Sequence, residues 1–415
     1  MSPTTRAALA LGLIALGALV LPLGIIVLAA LALAGATAVD ALSVRSRPAV
    51  RREIPSVLSR GIPTAAEVVT DGGAAGKIRV RLSTPAAVES DPSEGGAELK
   101  TQLVARERGR YELGEVGIRL EGRLGLGAWY HRVQDPLTVD VYPDLVGARR
   151  LVLAVREGRL IDASRRARGP LGMGTDFESV REWLPDDDVR HVNWRATQRA
   201  GRPMTNQYRL EQARDIMFLL DAGRLMGAPL GDRTRLDAAL DALAAVALAA
   251  DELSDHTGAI AFDSEVRRHL PSRRESGKEV VRALFDLKPR LVDSDYARTF
   301  RLVAGGKRAL VLVFTDLFDE AAARALIDAV PVIARRHAVI VASVTDPDLD
   351  HLIREPPSEM RDVFAASAAL DVLDARARAA SLVRATGARV IEAAPGLLPN
   401  ACVRAYVQAK ARLRL

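Results

Sequence analysis

The stretch from Ala7 to Val39 contains no charged residue, and it restricts the fold more than any other feature of this chain. A continuous helix of about 33 residues would measure about 50 Å, whereas the hydrocarbon core of a bilayer is about 30 Å thick. Pro22 lies near the middle of the stretch and disfavours a continuous helix. We therefore predict a transmembrane helical hairpin over residues 1–43, with arms at about Thr4–Leu21 and Leu23–Leu42.

Positive charge flanks this hairpin on both sides. Arg6 precedes it, and Arg45, Arg47, Arg51 and Arg52 follow it, whereas the turn carries no charge. Because cytoplasmic flanks are enriched in Lys and Arg, both ends are expected in the cytoplasm. The predicted protein is thus a multi-pass protein of the inner or plasma membrane, with most of the chain cytoplasmic.

Two alternatives compete with the hairpin. Ala36-Thr37-Ala38 has the small residues of a signal-peptide cleavage site, but the apolar stretch is over twice the usual 7–15 residues. A buried helix pair in a soluble protein would rarely lack charge over such a length. The membrane hairpin is the favoured prediction.

Residues 44–160 show a different pattern. Lys77–Ser83, Glu98–Arg108 and Leu137–Pro143 alternate polar and apolar residues, and Gly-rich or Pro-containing turns separate them. This alternation predicts a small antiparallel β-sandwich. Whether it is a spacer or a partner-binding surface stays open at this stage.

Residues 161–213 form a polar linker and a segment of mixed charge, and residues 214–415 alternate between apolar strands and periodic helices. The predicted strands are Ile216–Ala222, Thr257–Asp263, Ala309–Asp316, Ala338–Asp346 and Ala388–Ala393. Uninterrupted apolar strands separated by helices predict an α/β domain with a doubly wound, mostly parallel sheet. Asp221, Asp263, Asp316 and Asp346 fall at carboxyl ends of strands, where such sheets bind ligands.

The segment Asp176–Arg199, called the signature segment below, combines two tryptophans with a dense mixture of charges. Exposed ion pairs contribute only about 0–1 kcal/mol each, so stability alone is a weak reason for such a network. Tryptophan and arginine dominate protein–protein hot spots, which favours a docking surface. A purely structural segment with packed tryptophans is the alternative. The candidate partner-binding residues are Glu182, Trp183, Asp187, Arg190, Asn193, Trp194 and Arg199.

The signature segment, followed by the strand Ile216–Ala222 and the sequence Asp221–Met226, resembles a bacterial membrane-anchored family known only as domain of unknown function number fifty-eight. The resemblance implies a von Willebrand A-like domain and a frequent link with MoxR-type AAA+ ATPases. In von Willebrand A domains a metal sits at the sheet edge, held by an Asp-x-Ser-x-Ser motif, a Thr and a second Asp. Asp221 and Asp316 match the two aspartates, but Gly223 and Leu225 replace the serines.

A divalent cation such as Mg²⁺ is therefore a weaker expectation, with Asp221, Asp295 and Asp316 as its ligands. The alternative is that Asp221 and Asp316 cap helix N-termini. No other cofactor is expected.

The remaining patterns argue against catalysis and against nucleic acid. The chain contains no His-Glu-x-x-His and no Gly-x-Ser-x-Gly motif, and Cys402 is its single cysteine. The net charge is only +6 over 415 residues, without a long basic run. The leading hypothesis is a non-enzymatic, membrane-anchored adaptor or scaffold that binds proteins, with a MoxR-type AAA+ ATPase as the implied partner. The alternatives are a divalent-cation-dependent protein-binding module and an envelope-facing binding protein.

Overall fold

The computed structural model describes residues 1–71, 73, 75–157, 171–184, 192–209 and 214–412. The chain forms two compact units, Met1–Asp144 and Leu145–Leu415. The elements of the first unit are α1 (Thr5–Gly17), α2 (Leu23–Ser43), β1 (Ser2–Pro3), β2 (Ala49–Glu53), β3 (Val57–Ser59), β4 (Thr64–Asp71), β5 (Lys77–Leu82), β6 (Val88–Asp91), β7 (Glu94–Gly95), β8 (Glu98–Ala105), β9 (Gly109–Leu113), β10 (Val116–Glu121), β11 (Gly127–Val133) and β12 (Leu137–Tyr142).

The second unit alternates strands and helices over most of its length. Its elements are α3 (Leu145–Arg156), β13 (Leu171–Glu182), α4 (Trp194–Ala200), β14 (Met204–Arg209), β15 (Asp215–Asp221), a 3₁₀ turn (Arg224–Gly227), β16 (Pro229–Leu230), β17 (Arg233–Thr234), α5 (Arg235–Glu252), β18 (His256–Phe262), β19 (Val266–Arg274), α6 (Gly277–Leu284), α7 (Tyr296–Ala304), β20 (Leu310–Phe314), α8 (Glu320–Ala334), β21 (Ala338–Val344), α9 (Pro347–Arg354), α10 (Met360–Ala385), β22 (Arg389–Ala393) and α11 (Leu398–Arg412).

Helix α2 is the candidate membrane span among the described residues, by length and composition. Its 21 residues give a length of about 31 Å, which matches the hydrocarbon core. It begins directly after Pro22, as the sequence predicts. Helix α1 has 13 residues and measures about 20 Å, so it is too short to cross the core by itself. The first predicted arm therefore ends earlier than Leu21.

The two apolar helices are fastened to the loop between β10 and β11. The Asp40 carboxylate accepts hydrogen bonds from the backbone N–H groups of Leu124, Leu126 and Gly127 at 2.8–3.0 Å. The Thr4 hydroxyl donates to the Gly125 carbonyl at 2.5 Å. A β-carbon at Gly127 would overlap the backbone of α2, so the close approach of helix and loop requires glycine there. Both ends of the helix pair consequently meet at one loop.

The rest of the first unit consists of β-sheets around one apolar core. The sheet orders are β1-β11-β10-β5-β7, β2-β4-β8-β6 and β3-β12-β9. All pairings are antiparallel except that of β3 with β12. Val80, Leu103, Ile118 and Val139, from different strands, pack in this core. The alternating pattern predicted an antiparallel β-sandwich, and the structure has several mainly antiparallel sheets, with one parallel pair that the pattern does not reveal.

The second unit is built on a six-stranded sheet in the order β19-β18-β15-β20-β21-β22. Numbered along the chain, these strands follow the order 3-2-1-4-5-6, with the third strand antiparallel. Helices α7, α8 and α10 pack on one face, where Phe300, Ile333 and Val383 join a buried cluster. Helices α5 and α11 contact the sheet from the other face. Side chains of a strand alternate between the two faces, so both helical layers pack on apolar residues of the same strands. The expectation of a mixed α/β domain with a mostly parallel sheet is confirmed.

Three parts of the second unit were not expected from the pattern. Strand β19 carries charged residues on an exposed edge, and helix α9 is short and polar, so neither shows apolar periodicity. Helix α3 packs on α5 through Ala148 and Val155, so it belongs to the second unit although the sequence suggested a boundary at residue 160. Strands β13 and β14 form a hairpin within the region interpreted as linker and signature segment.

We expect Phe300→Ala to lower the free energy of unfolding by about 3–5 kcal/mol, because Phe300 is fully buried and its loss leaves a cavity. The matched control is Phe364→Ala, since Phe364 is 70% exposed and its loss should cost less than about 0.5 kcal/mol. Thermal unfolding of the full chain in neutral detergent measures both. Equal shifts of Tm in the two variants would contradict the packing described above.

Candidate functional site

The carboxyl edge of the six-stranded sheet brings two buried aspartates close together. Asp221 ends β15, and Asp316 follows the adjacent parallel strand β20. The strand order reverses between these two strands, and doubly wound sheets bind ligands at such a switch point. The sequence-predicted positions of both aspartates at strand ends are confirmed.

The Asp221 carboxylate is surrounded by donors from its own chain. Its Oδ1 atom accepts from the Gly223 N–H at 2.8 Å and from the Ser294 hydroxyl at 2.5 Å. Its Oδ2 atom lies 2.6 Å from the Tyr296 hydroxyl and 2.7 Å from the Thr315 hydroxyl. A carboxylate offers about four lone-pair directions, so these four groups saturate it.

Tyr296 remains a neutral donor in this network. Burial, followed by the neighbouring charge of Asp221, raises the pKa of the Tyr296 phenol well above its ordinary value. The ring also packs edge-on against Phe262 and Phe300, which fixes the position of the hydroxyl. The phenol is therefore a fixed hydrogen-bond donor and not an acid at neutral pH.

Gly223 shows why the expected serine is absent from the sheet edge. A β-carbon at Gly223 would overlap the Ser294 hydroxyl and approach the Val292 carbonyl to 2.8 Å. Ser294, which comes from the loop before α7, occupies that space and donates to Asp221. The hydroxyl that the motif lacks locally is thus supplied from a distant part of the chain.

Asp316 forms ion pairs with two buried arginines. Its Oδ1 atom accepts from Arg235 at 2.8 Å and from Arg376 at 2.9 Å, and from the Ser343 hydroxyl at 3.2 Å. Arg376 also donates to the Val344 carbonyl at 2.8 Å. A buried carboxylate costs several kcal/mol unless it is paired and hydrogen-bonded, and these cations provide that compensation.

The third aspartate of the cation hypothesis lies apart from this pair. Asp295 is exposed and caps α7 by accepting from the Arg298 N–H at 2.9 Å. Within the described ranges, no group of three His, Cys, Asp or Glu side chains has the arrangement of a metal site. With Asp221 saturated and Asp316 paired to two guanidinium groups, these residues do not fit a divalent cation.

A small cleft opens beside Asp221. It has a volume of about 200 Å³ and is lined by Leu225, Ser294, Tyr296 and the first turn of α8. The other two strand-end aspartates have separate roles, since Asp263 pairs with Arg267 at 2.8 Å and Asp346 caps α9.

The described part of the signature segment lies on β13 and α4. Asn193 caps α4 by accepting from the Ala196 N–H at 3.0 Å, and the Asn193 N–H donates to the Met204 carbonyl at 2.8 Å. Glu182 pairs with Arg202 at 3.1 Å across the hairpin. Backbone and cap therefore hold α4 against β14.

The two tryptophans of the segment differ in environment. Trp183 is half-buried, and its Nε1 has no hydrogen-bond partner among the described residues. Trp194 is 68% exposed, and Arg195 and Arg199 are exposed on the same short helix. The β13–β14 hairpin and α4 thus bring together five of the predicted residues, namely Glu182, Trp183, Asn193, Trp194 and Arg199. Asp187 and Arg190 lie outside the described residues.

Sequence patterns did not predict the residues that form hydrogen bonds with Asp221 and Asp316. Arg235 and Arg376 lie on alanine-rich helices, where an arginine usually reaches solvent, and Tyr296 and Thr315 have no motif of their own. The weak signals were Thr315 directly before Asp316 and Ser294 within Asp293–Asp295. Only the fold shows that these residues converge.

Comparison with known families gives one finding. Residues 179–384 match the model of a family described as protein of unknown function DUF58. The match includes β14, both buried aspartates and their arginine and hydroxyl partners. No curated protein matches the chain.

We expect Arg376→Ala to reduce the free energy of unfolding by about 3–5 kcal/mol, because it leaves a buried carboxylate with one cation fewer. Arg378→Ala on the same helix removes only an exposed pair with Glu320, at about 0–1 kcal/mol. Thermal unfolding in detergent compares the two. A loss of the same size in both variants would show that the buried pair does not stabilise the unit.

We also expect millimolar Mg²⁺, Mn²⁺ or Ca²⁺ to leave Tm unchanged, because the carboxylate oxygens of Asp221 are already occupied by protein donors. A cation that binds the folded state would raise Tm in proportion to its occupancy. The control is Asp221→Asn, which removes the carboxylate. If Mg²⁺ raised Tm in the native chain but not in Asp221→Asn, the cation-binding hypothesis would be restored.

Proposed function

Because the chain belongs to the DUF58 family through residues 179–384, we propose that it is a non-enzymatic, membrane-anchored adaptor that binds protein partners. The exposed Trp194 carries this proposal. A tryptophan that is two-thirds exposed leaves a large apolar surface in water, although folding alone would favour its burial. Exposed tryptophan beside arginine is typical of a binding hot spot.

The docking face consists of Trp194 and Arg199 on α4, with Glu182, Trp183 and Asn193 supporting them. Asp187 and Arg190 remain predicted members. The side chains of Arg195 and Arg199 lie one helical turn apart, so they present two positive charges on one side of α4. This combination favours a partner surface with an apolar pocket and neighbouring acidic residues.

The sheet domain supports the same protein-binding function. Its strand order 3-2-1-4-5-6, with an antiparallel third strand, supports the proposed von Willebrand A-like fold. The carboxylates at its edge are neutralised by fixed donors, which favours a binding scaffold over an acid–base catalyst. The family resemblance implies an AAA+ ATPase of the MoxR type as the partner.

The membrane placement is part of the proposal. Helix α2 is long enough to cross the bilayer, and its leucines and isoleucines are mostly exposed. Thr4 and Asp40 bind the same loop, so both ends of the helix pair lie on one side of the membrane. Together with the arginine-rich flanks, this supports a membrane-inserted hairpin whose bulk faces the cytoplasm.

Site-specific photo-crosslinking tests the docking face. The full chain with Trp194→benzoylphenylalanine is irradiated in native membranes, and crosslinked proteins are identified by mass spectrometry. In parallel, Trp194→Ala/Arg199→Ala is used as bait in affinity capture. We expect an AAA+ ATPase to crosslink at position 194 and its recovery with the alanine variant to fall at least about tenfold, as for loss of a hot spot.

The matched control is Phe364→Ala/Arg361→Ala, which removes an equally exposed aromatic and arginine from α10. It should retain the partner, provided that both variants have the native Tm. Equal recovery with the two variants and no crosslink at position 194 would make the signature segment structural and refute the docking face.

A further inference from the structure

A basic groove lies on the outer face of the sheet that carries β5, β10 and β11. It has a volume of about 670 Å³, and Arg79, Arg81, Arg119 and Arg132 line it together with serine and threonine hydroxyls. Glu94 and Glu115 are its acidic members, so cations outnumber anions. The groove therefore has the charge and the donors that bind a phosphate group.

Strand register places these cations directly beside one another. Arg79 of β5 is opposite Arg119 of β10, which is opposite Tyr130 of β11. Like charges at opposite positions destabilise a sheet, so folding alone does not favour this arrangement. Arg119 is partly compensated by Glu121 at 3.3 Å and by the Tyr130 ring.

Arg79 lacks such compensation, whereas Arg81 has Glu94 of β7 as its cross-strand neighbour. Both are exposed, and neither has an ion-pair partner among the residues that the structure describes. In the next row, Arg81 is opposite Gly117, and Gly117 is opposite Arg132. Arg132 pairs with Glu115 at 3.6 Å, and Gly117 has no side chain to separate the two cations. The groove thus presents guanidinium groups that an external anion can bind.

The groove is close to the membrane end of the unit. The loop between β10 and β11 holds Thr4 and Asp40, and β11 runs from that loop past Tyr130 to Arg132. Tyr130 follows Ala128 by two residues on β11, which is a distance of about 7 Å along the strand. Tyr130 and the cross-strand neighbours Arg119 and Arg79 therefore begin about 7 Å from the loop. The polar layer of a bilayer is about 5–7 Å deep on each side, and tyrosine is enriched there.

We propose that this groove binds the phosphate of anionic phospholipid headgroups in the bilayer that α2 enters. Arg79 and Arg81 supply the main contacts, and Arg119 and Tyr130 form the wall nearest to the loop. The proposal rests on the membrane placement argued above. It adds a lipid-recognition site to a unit that would otherwise be only a spacer.

The test is native mass spectrometry of the full chain in neutral detergent, titrated separately with phosphatidylglycerol, phosphatidylcholine and inorganic phosphate. We expect phosphatidylglycerol to bind in preference to phosphatidylcholine, and Arg79→Gln/Arg81→Gln to weaken its binding by about tenfold or more. Arg106→Gln/Arg110→Gln is the matched control, because it removes two exposed cations from other parts of the same unit.

The outcomes separate this inference from the proposed function. Equal binding of the two lipids, or an equal loss in the test and control variants, would overturn the headgroup site. Binding of inorganic phosphate as tight as that of phosphatidylglycerol would overturn the assignment to lipid. Extraction of the native chain from membranes by carbonate would instead refute the membrane anchor itself. Photo-crosslinking at position 194 tests the docking face, and its result does not depend on the lipid site or on the anchor.

Discussion

The ion pairs of Asp316 hold the two helical layers of the second unit together at the edge of the sheet. Arg235 belongs to α5 on one face, and Arg376 belongs to α10 on the opposite face. Both guanidinium groups converge on a single carboxylate oxygen that follows β20. Removal of either arginine would take a charge-assisted hydrogen bond from the buried carboxylate, so the positions of both helices are coupled to one side chain. These ion pairs therefore tie both helices to the carboxyl edge of the sheet.

Hydrogen bonds from the protein also occupy the neighbouring Asp221. Hydroxyls from Ser294, Tyr296 and Thr315 surround its carboxylate, and the space of a local serine is taken by Ser294. A divalent cation would have to displace donors that are themselves held by packing. Protein groups therefore occupy both carboxylate oxygens of Asp221 beside the small cleft.

In the first unit, backbone N–H groups replace water around the charged side chain of Asp40. Asp40 would be an expensive residue near the end of an apolar helix, yet three N–H groups of the loop between β10 and β11 bind its carboxylate. The glycines of that loop allow the helix to approach. The apolar helices and the β-sheets are consequently one unit, and the basic groove on β5, β10 and β11 is positioned by the same loop.

The sequence by itself determined the elements whose signal is local. Apolar runs ending in Asp221 and Asp316, the periodic helix after Arg235, the alternation of Lys77–Ser83 and the uncharged stretch before Asp40 all predict structures that form. The tertiary structure alone decided which side chains meet. Ser294 lies 73 residues from Asp221, and Arg376 lies 60 residues from Asp316. Such pairs leave no periodic trace, because hydrogen bonds between distant segments depend on how helices cross the sheet and not on spacing along the chain.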